Sequence, residues 1–124
     1  MPTEPQPVTL SQLARRAAEL VDPDDEDRDV AEFEQIFEDD DEPVRALLEE
    51  PLDERVEEAV RRIDPQGDLP HIQMAGAVVR YLAHKPSELK DDRDHILRLA
   101  ARAEYHGDPP PVVADWLVDQ GVAV

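Results

Sequence analysis

The stretch Pro70-His71-Ile72-Gln73-Met74-Ala75-Gly76-Ala77-Val78-Val79-Arg80-Tyr81-Leu82-Ala83-His84 decides the fold. On a 3.6-residue period, Ile72, Met74, Ala75, Ala77, Val78, Val79, Tyr81 and Leu82 put apolar surface nearly all the way round. A helix with no polar side is stable only where neighbours cover it on every side. The pattern therefore predicts a central, buried helix at about 70–84. Pro70 fits its first position, and Lys85-Pro86 ends it. Ala75, Gly76 and Ala77 allow one neighbour to approach closely.

The flanking sequence reads as the covering layer. Leu52, Val56, Ala59, Val60 and Ile63 fall within about 100° of arc, which predicts a one-faced helix over 52–63. Glu57–Arg61 and Glu58–Arg62 are favourable i,i+4 pairs on its outer side. Asp64-Pro65-Gln66-Gly67-Asp68 is a turn. Near the start, Thr9-x-x-Gln12 is a capping box, with Val8 placed to staple onto Leu13. Leu10, Leu13, Ala14, Ala17, Leu20 and Val21 form the apolar side of that first helix, and Pro23 lies just beyond it.

Asp22 to Arg28 is a charged loop. Asp29 is expected to cap a second, short helix with Glu32 as its box partner and Val30, Phe33, Ile36 and Phe37 on one side. It should stop near Glu38, because Asp39, Asp40 and Asp41 oppose the helix dipole. A third short helix after Pro43 points Val44, Leu47 and Leu48 inward and ends before Pro51. Downstream, a helix at about 92–106 turns Ile96, Leu99, Ala100 and Ala103 inward, with Gly107 as its C-cap. A last helix opens after Asp108 and three prolines, carries Val112, Val113, Trp116 and Leu117 on one side, and closes at Gly121. Val122-Ala123-Val124 is a tail or one short strand. No other segment alternates as a strand does, and there is no internal repeat. The expected fold class is all-α: a single-domain bundle of five to seven helices over 9–124, preceded by a proline-rich, disordered lead at 1–8.

Acids outnumber bases 31 to 13, for a formal charge of −18. The chain has eleven Arg but two Lys, and no Cys or Asn. That balance resembles the bulk composition of proteins from salt-accumulating halophiles. In molar salt the Debye length falls to roughly 3 Å, so surface carboxylates stop repelling one another. Folding is then expected to fail as salt drops to about 0.1 M. The acid is not spread evenly. Residues 22–42 hold thirteen acids against Arg28 alone. Residues 1–64 carry 22 acids and 7 bases, a net of −15, whereas 65–124 carry 9 and 6, a net of −3. Solvent adaptation alone does not produce that skew. The acidic segment, with Asp24, Asp25, Asp27, Asp39, Asp40 and Asp41, is therefore also read as a surface for a basic partner or as a nucleic-acid mimic.

Specific chemistry finds little material. EF-hand registers starting at Asp22 or Asp25 lack the glycine at position 6 and the glutamate at position 12; loosely bound cations are expected there instead. His95 and His106 are about 16 Å apart on one helix, and His84 lies beyond the Pro86 break, so no three-histidine site forms. Without cysteine there is no disulfide or thiolate metal centre. Ser11 and Ser87 are helix-start residues, and the four glycines make no phosphate loop. No cofactor and no catalysis are expected. No apolar run reaches the ~20 residues of a membrane helix, and Met1 to Val8 lacks the pattern of a secretory signal, so the location expected is cytoplasmic.

One local signal stands out. His95, Arg98, Arg102 and His106 follow an i, i+3, i+7, i+11 spacing and form a basic strip. It either pairs with acids of 22–42 or with Asp91 and Asp94, or it docks a nucleic-acid backbone or an acidic protein. Trp116 is a further candidate anchor, weighed against a place in the core. Leu10 to Ala17 looks like the positioning helix of a helix-turn-helix reader, but the element that follows is acidic and phosphate affinity needs Lys or Arg. The expected function is a non-catalytic interaction or regulatory module with an unidentified protein partner. The alternatives are a nucleic-acid-associated regulator using the basic strip and an acidic nucleic-acid mimic.

Overall fold

The computed structural model describes residues 8–47 and 50–122. Its helices are α1 (Leu10–Val21), α2 (Arg28–Ile36), α3 (Glu50–Ile63), α4 (Pro70–His84), α5 (Arg93–Tyr105) and α6 (Pro111–Asp119), with 3-10 turns at Val44–Ala46 and Pro86–Glu88. The protein is an all-α bundle with α4 at its centre. Helices α1, α2, α3, α5 and α6 all pack on α4, as its lack of a polar face requires. Ile72, Met74, Ala75, Val78, Val79 and Leu82 are fully buried.

The entry of α1 follows its capping box: Gln12 N–H donates to Thr9 Oγ1 at 3.3 Å, and Thr9 N–H to Gln12 Oε1 at 2.9 Å. The same segment is laced to residues 40–44. Ser11 N–H donates to the Asp40 carbonyl at 3.0 Å and Val44 N–H to the Val8 carbonyl at 2.9 Å. Two arginines strap α1 to the start of α5. Arg16 donates to the carbonyls of Leu89 and Asp91, each at 2.9 Å. Arg93 donates to the Leu20 carbonyl at 2.8 Å and to Gln120 Oε1 at 2.6 Å.

Gly76 is the close approach expected from the sequence. A Cβ there would lie 2.8 Å from Val60 Cγ2 and 3.3 Å from Val56 Cγ1. In an open helix Gly→Ala gains about 1 kcal/mol. Here two stiff β-branched side chains oppose it. Gly76→Ala is therefore expected to lower stability by about 1–2 kcal/mol in urea denaturation. A gain in stability would mean that α3 moves aside freely.

Several local expectations are corrected. Asp27, not Asp29, caps α2, because its carboxylate reaches the Asp29 and Val30 N–H groups. The segment after Pro43 makes only a 3-10 turn, and Pro51 lies inside the first turn of α3, where its missing N–H costs nothing. Helix α5 is rotated: Ile96, Leu97, Ala100 and Ala101 are buried, Leu99 is half-buried and Ala103 exposed. Arg93 sets this rotation, since its two bonds fix the first turn with Leu97 and Ala101 below it. Val112 on α6 is exposed, leaving Val113 and Leu117 as the buried pair. Val122 is buried. Of the lead expected at 1–8, residues 1–7 lie outside the described residues, as do Leu48 and residues 123–124, whereas Val8 is tied to Val44 by a backbone hydrogen bond.

Candidate interaction surfaces

The acidic segment is an ordered shoulder, and its own carboxylates build it. Asp22 accepts from the N–H groups of Glu26 and Asp27, at 3.2 and 2.9 Å. Asp27 Oδ1 accepts from Asp29 and Val30, at 2.9 and 3.1 Å. Asp25, between them, takes a left-handed conformation with φ 54°, which short polar side chains tolerate. At the other end, Arg55 of α3 donates to Asp40 Oδ2 at 2.9 Å and to Glu42 Oε1 at 3.2 Å. Its pKa is raised, mainly by the hydrogen bond to Glu42, against the opposing effect of burial.

Asp27 and Asp40 are therefore structural acids, while Asp24, Asp25, Asp39 and Asp41 face outward. With Glu26, Glu32 and Glu38 they make seven exposed carboxylates that join no ion pair among the described residues. Between the end of α2 and α3 lies a concavity of about 700 Å³, lined by Gln35, Ile36, Asp39, Asp41, Pro43 and Arg55 among others. Asp40 Oδ1 is buried beside it, without a hydrogen-bond partner among the described residues.

The basic strip is shorter than its spacing suggested. His106 has left α5: it is the C-cap, with φ 54°, and Gly107 after it has φ 83°. His95 is engaged, with Nε2 2.9 Å from Glu88 Oε1 and 3.6 Å from Asp91 Oδ2. The Tyr81 hydroxyl donates to the same Glu88 oxygen at 2.7 Å. Burial, and then this bond, push the Tyr81 pKa up to about 12, while Glu88 is held low, chiefly by Tyr81. Arg98 and Arg102 remain. Neither makes an ion pair with a described residue, Asp94 included, and Arg98 Nε is buried without a partner. Trp116 is half-buried against the core. The five residues thus do not form one site, and no ion pair among the described residues joins the strip to 22–42.

Three further groups carry polar contacts outside the two predicted surfaces. Arg80 of α4 bonds Glu104 and lies 3.5 Å from Asp53, closing the groove between α3 and α5. Tyr105 beside it is pushed up to about 12 by burial and then by the Glu104 charge. Asp64 is buried at the end of α3 and accepts from Asp68 N, Leu69 N and Gln73 Nε2 at 2.8, 3.0 and 2.9 Å. Burial opposes its ionisation most strongly, yet these bonds together hold its pKa below the usual range. His71, at the start of α4, sits 3.2 Å from Asp27 Oδ2. The only sequence signal for Asp64 was its place before a Pro-Gln-Gly turn.

The chain matches no family model, no curated protein and no solved structure. No helix of the described residues is long and apolar enough to cross a membrane.

Proposed function

We propose that this protein is a non-catalytic interaction module that holds cationic side chains of a basic protein partner in the acidic concavity between α2 and α3. The observation that carries this reading is Asp40 Oδ1, a buried acceptor with no donor, beside the exposed carboxylates of Asp39 and Asp41. A buried carboxylate oxygen left unpaired costs about 1–3 kcal/mol. An Arg or Lys entering the concavity meets Asp39 and Asp41 directly and offsets the buried charge from close by, and the outer acids speed its approach. The non-catalytic part of the reading follows the sequence, which offers no nucleophile–base arrangement and no phosphate loop. The overall acid bias with Arg in place of Lys is read separately, as adaptation to a salt-rich cytoplasm.

An arginine-rich peptide tests the proposal, titrated by fluorescence anisotropy at the lowest salt that keeps full helicity. Asp39→Asn with Asp41→Asn is expected to weaken binding about tenfold, or ~1.4 kcal/mol. Asp40 is left intact, because it also holds Arg55. Unchanged affinity in the double variant would sink the reading.

A second reading has its own observation, the unpartnered Arg98 Nε next to an unpaired Arg102. It takes these two as contacts to a nucleic-acid backbone. In that case the unmutated protein is retained on duplex DNA or RNA, and Arg98→Glu with Arg102→Glu releases it.

A further inference from the structure

Two groups of histidine and carboxylate side chains converge in the fold, one at Glu88, Asp91 and His95 and the other at Asp27, Asp29 and His71. They differ in one respect. In the first, the ring nitrogen is satisfied by its bond to Glu88, which also takes the Tyr81 hydroxyl. That group is closed as it stands. In the second, His71 Nε2 is buried and makes no hydrogen bond among the described residues, although Asp27 Oδ2 is only 3.2 Å away. The distance suits a hydrogen bond but the alignment does not. A buried polar nitrogen without a partner is a costly arrangement that calls for a ligand.

We propose that Asp27, Asp29 and His71 form a binding site for a divalent transition-metal ion of the zinc class. Tetrahedral ligands about 2.0–2.2 Å from a shared ion lie roughly 3.3–3.6 Å from one another, and the Asp27–His71 pair, at 3.2 Å, is already close to that spacing. The ligand atoms of all three residues lie within 4.8 Å of one another, so a side-chain swing of about an ångström by Asp29 closes the set.

The support behind the ligands is in place. Asp27 Oδ1 is held by two backbone N–H groups, leaving Oδ2 to the ion. The Asp27 backbone is held by Asp22. Such outer bonds orient metal ligands and sharpen affinity. The mixed donor set selects the ion: imidazole suits zinc, nickel and copper, whereas magnesium and calcium prefer oxygen alone. A bound ion would join the first turn of α2 to the first turn of α4 and so clamp the acidic shoulder to the central helix. The site needs no docked partner.

The test is calorimetric titration of the whole chain with Zn²⁺, with circular dichroism confirming the fold of each variant. One ion per chain is expected. His71→Gln and, separately, Asp29→Asn should each weaken uptake about tenfold or more, while His95→Gln leaves it unchanged. Asp29 is bonded through its backbone alone, so its variant keeps the test alive if His71→Gln misfolds. The proposal is overturned by no uptake, by wild-type uptake in both site variants, by loss with His95→Gln, or by equal competition from Mg²⁺, which would mark a diffuse acidic cloud.

Discussion

Asp64→Ala is expected to lower unfolding stability by about 3–4 kcal/mol at neutral pH, measured in urea. The side chain is 5% exposed and accepts from two backbone N–H groups and the Gln73 amide. Hydrogen bonds to a charged group contribute about 1.5–3 kcal/mol each, and water recovers part of the loss when the acceptor goes. The remainder is still a large share of the ~5–15 kcal/mol that holds a domain together. What fails first is the turn between α3 and α4, and with it the register that seats Gly76 against Val56 and Val60. The same residue fixes a sign for pH. Its pKa is lowered in the fold, so its ionised form contributes fully above the unfolded value of about 4 and that contribution is lost as pH falls through the folded value. The stability gap between the unmutated protein and Asp64→Asn should therefore be constant from pH 7 to 5 and shrink below pH 4. A gap that ignores pH would show that the ionised carboxylate is not the acceptor.

Withdrawal of salt is expected to unfold the protein, starting from the acidic shoulder. Two carboxylates about 7 Å apart repel by roughly 0.6 kcal/mol in water. Screening cuts that to about 0.3 kcal/mol at 0.1 M salt and below about 0.1 at 1 M. Summed over neighbours among seven unpaired exposed acids, the change reaches a few kcal/mol, concentrated between Asp24 and Asp41. Hydrogen exchange between 2 M and 0.1 M KCl should show α2 and its flanking loops losing protection first, followed by cooperative loss of helicity. Full helicity and uniform protection at 0.1 M would remove the salt-adaptation reading and favour the acids as a recognition surface alone.

How much of this could be read from the sequence depended on how local each interaction is. The Thr9–Gln12 box and the buried helix from Pro70 to His84 were legible, because caps and periodicity are written within a few residues. Gly76 was legible as an invitation to close packing, though not as to which partner accepts it. The rotation of α5 was not, since it is set by Arg93 reaching Leu20 and Gln120, far away in the chain. Asp27 displaced Asp29 as the cap because a shift of two residues in an acid-rich loop leaves no composition signal. The acids of 22–42 could be counted, but their division into builders (Asp22, Asp27, Asp40) and outward groups needed Arg55 and the backbone. His71 drew no notice, because the nitrogen that matters is defined by what surrounds it.

The two arginine straps also bear on how the chain is born. Arg16 is bonded to residues 73 and 75 positions later, and Arg93 reaches back 73 to Leu20. A helix with fastenings so distant is fully secured only once the segment at 89–93 has been made and has folded back. Helix α1 must wait for residues 89–93 before both straps close, and long-range closure of this kind slows folding. Until α4 arrives, the buried side of α1, with Leu10, Leu13 and Leu20, lacks its main cover. Helix α1 is made well before the residues that lock it, and the interval between is when a chaperone has the most to do.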